Sequence, residues 1–278
     1  MKNIMLLILF LFSVQSFAQY TETRTLSSFE NIEAKNGVIV EVFQSNSSKA
    51  IIETENKEQQ NYIETKVSGN TLYVSINSKK GSKKLVFKKL KIKVYTQKLN
   101  SIDLSGASIL KIQDQFQTAN LSVKLKGASQ MNSVKAIQSN DLKIDVRGAS
   151  ILQGIFKAKT TNINAAGSSQ IKGTLTSESV HANIAGASIV NLDGSSDRLF
   201  LEVEGSSIVN TIKLKSKQAQ ITSKSSSVVE SWVTDSLDAK AFNTAQVSIK
   251  GEPKKLKVET KNVGLIANKN GKIYSNNL

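Results

Sequence analysis

Gly106-Ala-Ser-Ile-Leu110, Gly127-Ala-Ser-Gln-Met131, Gly148-Ala-Ser-Ile-Leu152, Gly167-Ser-Ser-Gln-Ile171, Gly186-Ala-Ser-Ile-Val190 and Gly205-Ser-Ser-Ile-Val209 are one five-residue phrase written six times. Ser225-Ser-Ser-Val-Val229 repeats it without the glycine. The copies start 21, 21, 19, 19, 19 and 20 residues apart. Self-similarity at a period of about 20 residues means that one small unit stacks on copies of itself, so the phrase predicts a solenoid.

Alignment on the glycine shows which positions face inward. Four residues before it stand Ile102, Val123, Ile144, Ile163, Ala182, Leu201 and Ile221, and two before it stand Leu104, Leu125, Val146, Ala165, Ile184, Val203 and Ser223. The positions between are mostly polar: Asp103, Lys124, Asp145, Asn164, Asn183, Glu202 and Thr222 at three before, then Ser105, Lys126, Arg147, Ala166, Ala185, Glu204 and Lys224 at one before. Alternation with period two is the mark of a half-buried β-strand. Ser, Asn, Asp, Thr and Gly punctuate the units and the chain has a single proline, so two or three short strands per unit are expected and no helices. The expected fold is all-β, a right-handed parallel β-helix with coils of about 20 residues. Nine coils stacked at about 4.8 Å would extend roughly 43 Å.

The corner itself, Gly106, Gly127, Gly148, Gly167, Gly186 and Gly205, calls for backbone angles that other residues avoid, and the small residues after it leave room for neighbouring coils. The second residue after it is always serine: Ser108, Ser129, Ser150, Ser169, Ser188, Ser207 and Ser227. Stacked hydroxyls can form a hydrogen-bonded ladder inside the corner. Seven copies of a nucleophile with no base recurring beside them make no catalytic sense. The third position reads Ile109, Gln130, Ile151, Gln170, Ile189, Ile208 and Val228, and the fourth is apolar throughout. Two adjacent apolar columns cannot both face the core of a regular strand. Either the chain turns here and both point inward, or the Ile/Gln column stands outside as a stripe for binding or self-association.

Residues 1–18 read as a signal peptide, with Lys2, an apolar run from Ile4 to Phe12 and small residues at Ser16 and Ala18. The apolar run is too short to anchor the chain across a bilayer of about 30 Å, and no transmembrane segment is expected elsewhere. The chain is therefore expected to be exported, to periplasm, cell surface or medium. Residues 19–98 form a β-rich N-terminal part without the corner phrase, 99–250 the repeats, and 251–278 a degenerate coil with a polar cap at Lys269–Leu278. Ser68-Gly-Asn70 marks a hairpin, while Asn243-Thr-Ala-Gln-Val247 and Asn262-Val-Gly-Leu-Ile266 look like coils in which Asn replaces Gly.

With no cysteine, thiolate metal sites, cysteine nucleophiles and disulfides are excluded. The formal charge of +15 favours acidic partners such as an acidic glycan or envelope polymer, with nucleic acid excluded by export. Lys79, Lys80, Lys83, Lys84, Lys88 and Lys89 are a candidate anion patch; the plainer reading is a charged edge that discourages aggregation.

Phe29-Glu-Asn-Ile32, Asn36-Gly37-Val38, Leu104-Ser-Gly-Ala-Ser108, the repeated corners and Lys250-Gly-Glu-Pro253 together resemble the head GIN domain family of auto-transporter adhesins, a domain of unknown function in exported proteins of Bacteroidetes. The resemblance covers essentially the whole chain after the leader. It implies an all-β fold with β-helical character and an envelope or surface location, and it brings no catalytic residues.

Three functions are compatible with these residues. A non-enzymatic module would present a repetitive surface to glycan, envelope polymer or another protein. A structural envelope component would associate with itself through the stripe. A polysaccharide lyase or hydrolase would need clustered acids, yet Asp103 and Asp145 stand two coils apart, roughly 9.6 Å, with Lys124 between them. Glu202 and Glu204 share a strand without a partner acid in the next coil. No cofactor is expected, and the single histidine, His181, cannot build a metal cluster.

Overall fold

The computed structural model describes residues 20–77, 87 and 89–274. The leader at 1–18 and Lys79, Lys80, Lys83, Lys84 and Lys88 lie outside the described residues. The fold is nearly all-β, a solenoid of about nine turns with coils of about 19 residues.

The strands before the first corner phrase are β1 (Tyr20–Thr25), β2 (Asn31–Lys35), β3 (Ile39–Gln44), β4 (Lys49–Thr54), β5 (Ile63–Ser68), β6 (Thr71–Ile76) and β7 (Lys91–Thr96), with one four-residue helix, α1 (Lys57–Gln60). The repeats begin with β8 (Ser101–Leu104) and β9 (Ile109–Ile112). Asn36 has φ +61 and joins β2 to β3 as Gly106, φ +71, joins β8 to β9. β2 pairs in parallel with β8 and β3 with β9, so residues 31–44 are already a coil of the solenoid. Below it lie β6 under β2 and β7 under β3, also parallel. The outermost strands reverse direction and end the stack: β5 on β6, β4 on β7 and β1 on β4. The chain thus lays down its second coil first, descends to build the end, and returns on the other side at β8.

Arg24 fastens this end. Its guanidinium holds both Glu22 carboxylate oxygens, at 2.8 and 2.9 Å, and donates to the Gln60 and Ile63 carbonyls and the Thr65 hydroxyl. Bidentate, charge-assisted bonds of this kind are short and directional. Gly69, φ +59, makes the tight turn of the expected β5–β6 hairpin.

Above β8 and β9 come β10 (Phe116–Gln117), β11 (Asn120–Leu125), β12 (Gln130–Gln138) and β13 (Asp141–Gly148). Then short strands fuse into long ones that bend around the coil: β14 (Ile151–Gly167), β15 (Gln170–Ile184), β16 (Ile189–Val203), β17 (Ile208–Ser223) and β18 (Val228–Phe242). β19 (Gln246–Lys250), β20 (Lys255–Lys261) and β21 (Leu265–Asn268) finish the stack. Pairing is parallel and follows the repeat, as in Ile151↔Gln170↔Ile189↔Ile208↔Val228. The inward columns, Ile102 and Leu104 with their counterparts in later coils, belong to a continuous apolar core running from Phe29 to Ile266. Only 6% of the residues are aromatic, which suits a narrow, layered interior filled mostly by Ile, Leu, Val and Ala, one layer per coil.

Candidate functional site

The corner is built by conformation first. Asn36, the six glycines, Ser225, Asn243 and Asn262 all have positive φ, between +57 and +80, and together form one edge of the solenoid. Glycine is needed where coils press closest. A Cβ on Gly186 would meet the Gly167 carbonyl oxygen at 2.6 Å, and that oxygen accepts the Ala187 N–H at 2.7 Å. The same bond recurs from Ala128 N to Gly106 O and from Ala149 N to Gly127 O, both 2.7 Å. At Ser225 the bond to the coil below survives, Ser226 N donating to Gly205 O at 3.0 Å, but where Asn243 and Asn262 bring a Cβ the turn closes on itself instead, with Ala245 N donating to Phe242 O and Gly264 N to Lys261 O. Side chains then bridge the coils: Thr244 Oγ1 donates to Ser225 O at 2.9 Å and Asn262 Nδ2 to Asn243 Oδ1 at 2.8 Å.

Behind the corner, all seven repeated serines are 0% exposed. Ser129 and Ser150 share a bond at 3.3 Å and Ser169 and Ser188 one at 3.1 Å. Ser108, Ser129, Ser188 and Ser227 each also donate to the carbonyl three residues earlier. Ser207 donates to the Gly186 carbonyl of the coil below. Sealed from solvent and bonded to backbone or to one another, these hydroxyls are out of reach of any substrate.

In front of the corner the surface is flat and long. Because the turn is complete by the glycine and its follower, the strand pleat begins at the serine: serine inward, Ile/Gln outward, the next apolar residue inward. Ile189 is 38% exposed and Ile208 47%, Gln130 and Gln170 are exposed, and Ile109, Ile151 and Val228 are half-buried. The structure lengthens the column at both ends, with Ile39 below Ile109 and Gln246 and Leu265 above Val228. Ala107, Ala128, Ala149, Ser168, Ala187 and Ser206 line its flank as exposed small residues. The upper extension lies in the two Asn-cornered coils already legible in the sequence, whereas the lower one leaves no copy of the phrase at Asn36 to Val38, where the Asn-Gly step was the available signal.

The other candidates separate. Asp103, Lys124 and Asp145 do stack in register, but Asp145 is taken by Arg147 at 2.7 Å and is almost buried. Of the lysine cluster only Lys89 is described; its described neighbours Lys91 and Lys93 pair with Glu41 at 3.2 Å and Glu53 at 2.5 Å. His181 stacks on Phe200, ring centroids 4.4 Å apart, and Trp232 is sandwiched by Lys250 at 3.9 Å and Lys215 at 5.5 Å. Among the described residues no three His, Asp or Glu side chains converge to hold a metal ion, and no helix is long and apolar enough to cross a membrane.

The family described as "Putative auto-transporter adhesin, head GIN domain" matches residues 28–155 and 151–253. No curated protein sequence matches. Solved structures similar in fold include a "putative adhesin" of Parabacteroides distasonis (14% identity, TM-score 0.64, covering 91% of this chain and 98% of that one) and a "putative adhesin" of Parabacteroides merdae (14%, 0.64, 90% and 95%). A "Putative lipid binding protein" of Parabacteroides distasonis is also similar (18%, 0.62, 90% and 96%).

Proposed function

The chain belongs to the head GIN domain family, and from that premise we propose that it is an exported, non-enzymatic binding module that meets its partner along the corner edge. The observation that carries this reading is the outward Ile/Gln column, continuous from Ile39 to Leu265 beside a border of small residues. An outward column that keeps apolar residues in most coils, with Ile189 and Ile208 exposed side by side, is not needed for folding, since the core is already filled by the columns on either side of it. Contiguous exposed apolar surface of this kind marks an interaction site. Its interleaved Gln130, Gln170 and Gln246 add amides that both donate and accept, which suits a regular polar polymer or the backbone of a partner protein.

The test is binding of the mature chain, residues 19–278, to immobilised envelope polymers, glycans and matrix proteins. The Ile189→Lys/Ile208→Lys double variant should lose the interaction while its circular dichroism and thermal melt stay unchanged. Undiminished binding by that variant would defeat the reading. A contribution from the lysine cluster would appear as weakening by raised salt and by Lys83→Glu/Lys84→Glu.

The same stripe would also serve self-association of an envelope component. Light scattering separates the two: concentration-dependent oligomers abolished by Ile151→Lys, with no foreign ligand retained, favour the structural role.

A further inference from the structure

The solenoid carries a second surface, one column back on the other side of the corner. From the second repeat upward, the outward position just before the left-handed corner residue runs Lys126, Arg147, Ala166, Ala185, Glu204, Lys224, Phe242. Between Arg147 and Glu204 the long side chains give way to two alanines, which leaves a depression two coils long. The neighbouring outward column beside it reads Asp145, Asn164, Asn183, Glu202, Thr222, Lys240, Glu259. From Arg147 and Asn164 up to Phe242 and Glu259 the two columns line an open groove of about 690 Å³, within the range of about 300–1,000 Å³ typical of ligand clefts.

The two ends of this groove are tied and its middle is not. Arg147 is held by Asp145 at one end; at the other, Glu259 bridges Lys240 at 3.4 Å and Lys261 at 3.2 Å. Between them, among the described residues, Glu202, Glu204 and Lys224 form no ion pair. Asn183 Nδ2 donates to Asn164 Oδ1 at a long 3.4 Å, which leaves the remaining amide hydrogens and the Asn183 carbonyl oxygen unused. The floor, Ala166 and Ala185, offers methyl groups, and Phe242 closes the upper end with a ring.

From this arrangement we infer that the groove is a binding site for an uncharged oligosaccharide lying along the solenoid axis. The reading rests on the proposal that the chain is a binding module and names a ligand class for a different face of it. Charge decides the class. The lining holds three cations, Arg147, Lys224 and Lys240, against three carboxylates, Glu202, Glu204 and Glu259, so it is neutral in a chain whose formal charge is +15. A polyanion meets the carboxylates and a basic peptide meets the cations. A sugar hydroxyl both donates and accepts, so one kind of group satisfies acceptor-only carboxylates, the donor-only ammonium and the amide pair. Apolar C–H faces of the sugar fit the alanine floor. From Arg147 to Lys224 is four coil steps, about 19 Å, a length that calls for an extended chain of several sugar units.

The experiment is saturation-transfer NMR and calorimetry of residues 19–278 with neutral hexasaccharides of glucose, xylose and mannose in α- and β-linkages. At least one should bind, with affinity unchanged when salt is raised tenfold. Ala185→Tyr, which fills the depression from the surface, should weaken it at least tenfold, and Glu202→Gln, which keeps the shape, several-fold, with thermal melts unchanged in both. Absence of any binding at millimolar sugar overturns the inference. So does binding that survives Ala185→Tyr, or a site taken only by acidic sugars or by a lysine-rich peptide. Binding lost in Ile189→Lys/Ile208→Lys but kept in Ala185→Tyr would assign the sugar to the corner edge, overturning the groove while leaving the binding-module reading intact.

Discussion

Gly106→Ala and Gly186→Ala change the same residue in the same motif, and their consequences should differ because of what lies beneath each. Both positions need left-handed backbone, φ +71 and +79. An L side chain pays about 1–2 kcal/mol for that conformation. At 106 the nearest atom to the new Cβ is the Asn36 amide nitrogen at 3.6 Å, an ordinary contact. At 186 the Cβ arrives 2.6 Å from the Gly167 carbonyl oxygen and 3.0 Å from its nitrogen. That carbonyl cannot swing away without giving up the Ala187 N–H, so the coils must part. Forced overpacking adds about 1–3 kcal/mol. Because solenoid stability is a sum of neighbouring coil contacts, a single unfolding free energy is a poor readout. Hydrogen exchange, read coil by coil, is the better assay. Amides of coils 167–209 should lose roughly 5–150-fold more protection in Gly186→Ala than the coils around residue 106 lose in Gly106→Ala. Equal losses at the two sites would show that backbone angle alone dictates the corner and that close coil approach has no part in it.

Protonation should loosen the N-terminal end before the rest. The hydrogen bonds from Arg24, ahead of its charge, hold the Glu22 carboxyl below its ordinary value of 4.5. A depressed carboxylate contributes stability that is present above its unfolded value and lost as pH falls through the lowered folded one, so exchange in β1 and β5 should accelerate below about pH 4.5 in the wild type and lose that dependence in Glu22→Gln. Ser188→Ala removes the bonds to Ser169 and to the Ala185 carbonyl and should cost about 1 kcal/mol locally, measured by the same exchange method. A fluorophosphonate probe should leave all seven corner serines unlabelled in the folded chain, since each is 0% exposed; labelling of any one, found by mass spectrometry, would contradict the buried ladder.

How much of this could be read from residues alone depends on what kind of signal each part leaves. The corner leaves a chemical one: a left-handed turn under a close-packed neighbour admits little but glycine, so six copies announce themselves. Asn243 and Asn262 were also legible, because Asn is the next residue to tolerate positive φ, and both adopt it. The coil at residues 31–44 was not. It lies between strands that come later in the chain, so its neighbours, β6 below and β8 above, are 40 and 70 residues away from it and no period links them. Direction of the Ile/Gln column was also undecidable from periodicity, since it hinged on whether the turn ends before or after the serine. The groove was present in the aligned columns as Ala166 and Ala185, yet two alanines in a strand are ordinary until the register shows what stands above and below them.

The change of corner chemistry along the axis bears on which part of the edge can act as a ruler. From Gly106 to Ser226 the corner backbone is pinned to the coil below through the glycine oxygens, at 2.7 to 3.0 Å, so the Ile/Gln column above it advances by a fixed step. Beyond Ser225 the pin is replaced by side-chain bridges, Thr244 to Ser225 and Asn262 to Asn243, which are exposed and rotatable. Rotatable, solvated bonds hold spacing less tightly than a backbone ladder shielded by the next coil. A partner that reads the spacing of the column should therefore engage Ile109 to Ile208, while Gln246 and Leu265, still laddered through Gln246 N to Ser227 O at 2.9 Å and Leu265 N to Ala245 O at 3.0 Å but without the corner pin beside them, contribute mainly area. Truncating the outer pair, Gln246→Ala/Leu265→Ala, should lower affinity by only a few-fold; a loss as large as that of Ile189→Lys/Ile208→Lys would mean that the loosened coils, and not the pinned ones, carry the recognition.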